Sequence, residues 1–172
     1  MKQGARVSHS DYLCSMNAIK RIFFLLVPYT LCLTACTTID LYEKTVSVPG
    51  HAWSSAFKPE FNFTIKDTTA LYQPYFVIRH TEKYNYNNIW INFYYQLPGD
   101  TLRREMKESK LATAERGWLA SGMDDMYEHR IQLTDKPFKL KAGHYKFALE
   151  NIMREDPLQH VMNVGIRLEK IK

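Results

Sequence analysis

The sequence predicts an all-β protein, a single antiparallel β-sandwich of about eight strands, Ig-like or jelly-roll-like, behind a short N-terminal segment that is not part of the fold. Three observations predict it. Apolar and polar residues alternate with a period of two in stretch after stretch from Phe61 to the last residues. Turn-forming residues fall between those stretches. A short apolar run, ending in a cysteine, precedes them all.

That run is Ile22 to Leu33. A membrane-spanning helix needs about 20 apolar residues; this run, at about 12, has the length of a signal-peptide core. Lys20 and Arg21 stand just before it as a basic flank on the cytoplasmic side. Leu33-Thr34-Ala35-Cys36 resembles a lipobox: a branched apolar residue, two small residues that let an extended backbone enter a peptidase, and the cysteine that receives lipid. Residues 1–35 therefore read as a lipoprotein signal peptide, and Cys36 as the lipidation site. Met1 to Ser15 is polar and holds Asp11, unlike a signal flank, whereas Met16 opens a conventional one, so Met16 reads as the true start. Residues 36–55 read as lipidated N-terminus, tether and first strand, and 56–172 as the sandwich domain. Thr37, in place of an aspartate, favours outer-membrane localisation by analogy with enteric lipoproteins.

Charge and cysteine content change once residues 1–35 are set aside. The whole chain carries 23 Lys and Arg against 18 Asp and Glu. The leader holds Lys2, Arg6, Lys20 and Arg21 against Asp11, leaving 19 against 17, a net charge of +2. The basic character belongs largely to the leader, and no nucleic-acid partner is implied. Cys14 and Cys32 leave with it, so the domain has no disulfide to lean on and is expected to be held by its apolar core.

Phe61, Phe63 and Ile65 alternate with Asn62, Thr64 and Lys66, a half-buried strand ended by the turn signal Asp67-Thr68-Thr69. Tyr75 to Arg79 is the next strand, and Pro74 at its start suggests an edge or a bulge. His80 to Asn88 reads as a polar loop. Ile89 to Tyr95 is aromatic and β-branched, hence a strand, with Trp90 assigned to the core. Pro98-Gly99-Asp100 is a turn. Thr101 to Ala114 contains good helix formers, but Leu102, Arg104 and Met106 also alternate, and strand followed by loop suits a run of strands better. His129 to Leu133 is a strand ended by Asp135-Lys136-Pro137; Phe138 and Leu140 start another element. Tyr145, Phe147 and Leu149 alternate, as do Met162, Val164, Ile166 and Leu168.

Candidate chemistry is sparse. Asp124, Asp125, Glu128 and His129 form the densest polar cluster, but their spacing matches no calcium loop, and an exposed charged turn is the better reading, with no metal site assigned. Tyr84, Tyr86 and Trp90 flank a polar loop as sugar-binding or protein-binding aromatics do, with Tyr84 and Tyr86 expected at the surface. Tyr84, Tyr86 and Trp118 are the candidate interaction surface. The histidines His51, His80, His129, His144 and His160 show no ligand spacing, and no nucleophile elbow is present. No catalytic residue and no cofactor is assigned.

Several stretches together are similar to one family. They are Trp118 to His129, Gly143-His144-Tyr145-Lys146-Phe147, Met153 to Leu158, and Val164 to Lys170, joined by Asn88 to Asn92 and the lipobox. Together they resemble the gliding motility lipoprotein GldH family of Bacteroidetes-type bacteria. Ala120 and Met123 depart from the small-residue character of the family around Trp118. The resemblance implies a role with the gliding machinery and the protein secretion coupled to it, without established catalytic residues. It implies a non-enzymatic interaction component, lipid-anchored at Cys36, on the periplasmic face of the outer membrane. Its partners would be other gliding or secretion lipoproteins or membrane proteins. The rival reading is a carbohydrate-binding sandwich lipoprotein.

Overall fold

A computed structural model describes residues 41–171. The signal peptide, Met16 and Cys36 lie outside the described residues. In chain order, β1 (Leu41–Ser47) leads through a 3-10 turn at Pro49–His51 to the short β2 (Ala52–Trp53). Then come β3 (Glu60–Ile65), β4 (Leu71–Thr81), β5 (Asn88–Gln96) and β6 (Arg103–Lys110). Three short strands follow, β7 (Ala112–Thr113), β8 (Gly117–Trp118) and β9 (Ser121–Met123). The chain closes with β10 (Met126–Gln132), β11 (Phe138–Lys139), β12 (Gly143–Asn151), β13 (Leu158–Gln159) and β14 (Val161–Ile171).

Two antiparallel sheets pack face to face as a β-sandwich. One has the order β1-β14-β4-β10-β9, with β11 also on β4; the other has the order β3-β12-β5-β6. Two short ladders, β13-β2 and β7-β8, complete the pairing among the described residues. Every long-strand pairing is antiparallel, so alternate residues face inward. Phe61, Phe63 and Ile65 are buried between exposed Glu60, Asn62 and Thr64, as the alternation predicts. Phe63 stacks on Tyr145 at 5.4 Å and meets Phe147 edge-on at 4.9 Å. Phe76 and Ile78 of β4 face them with Val164 and Ile166 of β14. Each such side chain, buried completely, contributes about 1.5–3 kcal/mol. Trp53 is fully buried and donates its indole N–H to the Phe57 carbonyl at 2.9 Å. Buried Asn151 donates to the Trp53 carbonyl at 3.0 Å and accepts from the Met153 amide at 2.9 Å, so its polar group is satisfied.

Four expectations about the strands need correction. Pro74 is not at a sheet edge: β4 lies between β14 and β10. A strand residue directs its N–H and C=O to the same side, and the Pro74 carbonyl accepts from the Leu133 amide on the β10 side. The missing N–H therefore faces the gap where β10 has ended at Gln132 and β11 has not begun at Phe138. His80 is not in a loop, because β4 runs on to Thr81 and pairs there with Met126. Trp90 is half-buried on the outer face, since Ile89, Ile91 and Phe93 hold the inward positions of β5. Met162 does not continue the alternation of Val164, Ile166 and Leu168: a bulge between Val161 and Asn163 puts Val161 inward instead.

The ambiguous stretch after Pro98 is a strand, β6, but an unusual one. Cross-strand partners share a face, and β6 sets Arg103, Glu105, Lys107 and Ser109 opposite Tyr95, Phe93, Ile91 and Ile89. Its inward side is charged. Its apolar Met106 points outward, opposite Asn92, and is 63% exposed.

Candidate functional site

One end of the sandwich gathers six rings. β4 delivers His80, β10 delivers Tyr127 and His129 opposite it, the following loop brings Tyr84 and Tyr86, and β8 brings Trp118. His80 lies 4.5 Å from Trp118, 4.9 Å from Tyr84, 5.0 Å from His129 and 5.8 Å from Tyr127. Tyr84 and Tyr86 meet edge-on at 5.9 Å. The cluster exists because inward positions of adjacent strands carry rings, and β8 folds back over them.

At its centre is a histidine pair. His80 is 0% and His129 2% exposed. His80 Nδ1 lies 2.8 Å from the Thr81 carbonyl, which only accepts, so Nδ1 carries the proton and Nε2 the lone pair. His129 Nε2–H then donates to His80 Nε2 at 2.9 Å. Burial pushes both below the ordinary histidine value; for His129 the neighbouring His80 adds to the effect and a backbone hydrogen bond with Leu119 opposes it, leaving it at about 4.

Tyr84 is 4% exposed and donates its hydroxyl to the Asn88 carbonyl at 3.0 Å. The expected surface position for it is thus corrected: its loop turns back over the sandwich end, and Tyr84 fills the space beneath Trp118. Burial raises its hydroxyl well above the usual tyrosine value. Tyr86 and Trp118 are half-buried and keep partly exposed faces. Cys36 lies outside the described residues.

Tyr86 also borders a groove on the outer face of the second sheet, about 490 Å³, with Trp90, Met106, Ile152, Met153 and Arg154. The aromatic residues grouped by sequence therefore separate: Tyr84 packs inward, while Tyr86 and Trp90 share this groove. A hydrogen bond to Glu155 raises the Tyr86 hydroxyl.

The polar cluster at the β9–β10 turn does not converge. Asp124 and Asp125 are exposed in the turn, Glu128 points outward, and His129 points inward. Strand alternation sends the last two to opposite faces. Glu128 pairs with Arg79 at 2.5 Å and Arg130 at 2.8 Å. Among the described residues no three His, Cys, Asp or Glu side chains gather as a metal-binding group. A second outer-face network joins Arg167 to Glu43 and Glu169, each at 2.6 Å.

The profile of the GldH lipoprotein family matches residues 40–168. The chain belongs to the GldH lipoprotein family. The match takes in strands of both sheets and the histidine pair, stopping three residues short of the end of β14. A gliding motility lipoprotein GldH homolog of Christiangramia forsetii is 21% identical over 154 residues, covering 86% of this chain and 94% of its own. Gliding motility lipoprotein GldH of Flavobacterium johnsoniae is 23% identical over 146 residues, covering 80% and 89%. Among solved structures, the infectious bursal disease virus VP2 subviral particle aligns with 76% of this chain and 32% of the viral chain, at 12% identity and a TM-score of 0.36. The Gx strain of that virus gives 14% identity and 0.33 over 76% and 31%. The chain spans about a third of those viral chains, and at such scores the likeness carries no argument.

The histidine pair was not legible in the sequence. His80 and His129 are 49 residues apart, and only the β4–β10 register joins them. A loop assignment for His80 hid its inward parity with Phe76 and Ile78.

Proposed function

We propose that this protein is a non-enzymatic interaction component of the gliding motility machinery and its coupled protein secretion, anchored by lipid on Cys36 to the periplasmic face of the outer membrane. Residues 1–35 serve as signal peptide, residues 36–55 as lipidated N-terminus, tether and first strand, and 56–172 as the body of the sandwich. The observation that carries the reading is the family match across residues 40–168, with curated relatives covered nearly end to end that are named gliding motility lipoproteins. Leu33-Thr34-Ala35-Cys36 stands a few residues ahead of β1, as a lipid tether requires. Each buried acyl methylene adds about 0.8 kcal/mol, so two or more chains hold the domain at the membrane. Tethering raises the effective concentration of weak partners without demanding high intrinsic affinity. Of the candidate interaction residues, Tyr86 and Trp118 offer partly exposed faces, and Tyr84 supports them from below.

Replacing Cys36 with Ala moves the protein to the soluble fraction and lowers gliding or secretion in its host. Persistence of the variant in membranes contradicts the anchor. The second reading, carbohydrate capture, is favoured by the groove that Tyr86 and Trp90 share with Arg154. Aromatic faces beside polar groups suit a sugar ring. Glycan binding lost in Trp90→Ala, with gliding and secretion intact, would favour it over the first.

A further inference from the structure

The second sheet ends on β6, an eight-residue strand that is mostly exposed and, among the described residues, pairs on one side alone. An open strand edge is a template for another strand unless its side chains forbid pairing. The direction of its free hydrogen-bonding groups follows from β5. The Trp90 carbonyl accepts from Ile152 on the β12 side at 3.2 Å. Ile89, Ile91 and Phe93 therefore address β6, and Ser109, Lys107 and Glu105 address them in return. Arg104, Met106 and Glu108 direct their N–H and C=O groups out of the free edge.

The charges on this edge are antisymmetric about Met106. Reading from Arg104 to Glu108 gives basic, acidic, apolar, basic, acidic. We propose that this edge is a homodimer interface, in which β6 pairs antiparallel with β6 of a second copy about a two-fold axis through Met106. In that register Arg104 faces the second copy's Glu108, and Glu105 faces its Lys107. Both contacts occur twice, as an isologous interface requires. Met106 faces itself. The residues brought together as hydrogen-bonded pairs are Arg104 with Glu108 and Met106 with Met106, the ones whose backbone groups point outward.

Neighbouring registers are blocked. Centring the axis on Glu105 sets it against its own copy and Arg103 against Lys107. Centring on Lys107 sets it against its own copy and Arg104 against Lys110. Like charges directly opposite are unfavourable. The same side chains that discourage general edge pairing thus leave one register open. The apolar component agrees: Met106 is the most exposed large hydrophobic among the described residues, and it lines the groove that holds Trp90. Pairing covers Met106 and joins the two grooves across the axis. A single strand pair is a small interface, and confinement to one membrane by the proposed lipid anchor favours it.

The test uses the full chain, in two tagged forms, in its own membranes. Met106→Cys places two thiols on the axis, within disulfide reach in an antiparallel pair. Leu102→Cys is the control: it is similarly exposed, at 55%, but its two copies would stand roughly 27 Å apart at 3.4 Å per residue. Disulfide-linked dimers form with Met106→Cys and not with Leu102→Cys. Adding Glu105→Lys or Lys107→Glu to Met106→Cys turns two attractive pairs into repulsive ones and lowers the dimer yield by roughly tenfold. Co-expressing the two charge variants restores complementarity between them and recovers the hetero-linked dimer, which a folding defect would not do. Equal linkage from both cysteine positions, or failure of the two charge variants to rescue one another, overturns the proposal. Fractionation of the same cells reports the lipid anchor separately.

Discussion

Acid should destabilise this fold through the histidine pair well before its carboxylates titrate. His129 sits at about 4 in the folded protein against 6.5 when exposed. The folded state thus favours the neutral ring. The associated stability is complete above pH 6.5 and is lost as pH falls towards 4. Each unit of difference is about 1.4 kcal/mol, and the loss between pH 7 and pH 5 from His129 alone is about 2 kcal/mol. His80 moves in the same direction and adds to it. The carboxylates act lower. Burial pushes Glu150 up, but hydrogen bonds from Lys58, Tyr94 and Asn92 outweigh it and hold it at about 2 against 4.5. Its stabilisation is present above the ordinary carboxylate value and is lost only as pH falls through about 2. Asp67 is held low by hydrogen bonds from Thr69, then by Lys170. The window from pH 7 to 5 therefore reports the imidazoles. The assay is urea unfolding of a chain beginning at Thr37, followed by tryptophan fluorescence, at both pH values. His129→Gln keeps a donor for His80 Nε2 and removes the titration. The parent loses about 2 kcal/mol or more across the window, and the variant loses less than half as much. An equal loss in both would refute the reasoning.

Two further predictions concern packing. A Cβ at Gly165 would stand 2.4 Å from the Lys44 carbonyl oxygen and 2.8 Å from Thr45 Cα, backbone atoms of β1 that cannot swing aside. Gly165→Ala is expected to cost about 1–3 kcal/mol and to strip hydrogen-exchange protection from β1 while β4 and β12 keep theirs; protection retained in β1 would contradict this. Trp118 shields the histidine pair from above, so Trp118→Ala lets water reach His129 and moves its titration, followed by NMR, from about 4 towards 6.5; an unchanged titration would show that the shielding lies elsewhere.

The sandwich was legible because its strands are amphipathic. Phe61-Phe63-Ile65 and Tyr145-Phe147-Leu149 advertise their faces by composition alone, and the structure pairs them with one another. The turn at Pro98-Gly99-Asp100 separated β5 from β6 for the same reason, with Gly99 at a φ of 75°. What escaped was set by tertiary neighbours. Pro74 reads as an edge signal, yet β4 tolerates it because two short strands leave a gap on the side where its N–H would have pointed. Trp90 reads as core, yet register turns it outward. Tyr84 reads as surface, yet its loop folds back over the sandwich end. Nothing local distinguishes Glu128 from His129, although one joins an ion-pair network outside and the other a buried imidazole pair. The β6 charge pattern was visible throughout, but it acquires meaning only once β6 is known to be an open edge. The family resemblance was legible because it is spread over many short stretches covering both sheets, and the profile match over 40–168 bears it out.

The proposed role of this sandwich is that of a tethered interaction component of the gliding and secretion machinery. It is tested most directly by crosslinking the protein in its own membranes and identifying what is recovered with it, alongside protease treatment of intact cells. Recovery of gliding or secretion membrane proteins is expected, with the domain protected from external protease. Recovery of glycan-processing partners instead, with the domain digested at the cell surface, would contradict it.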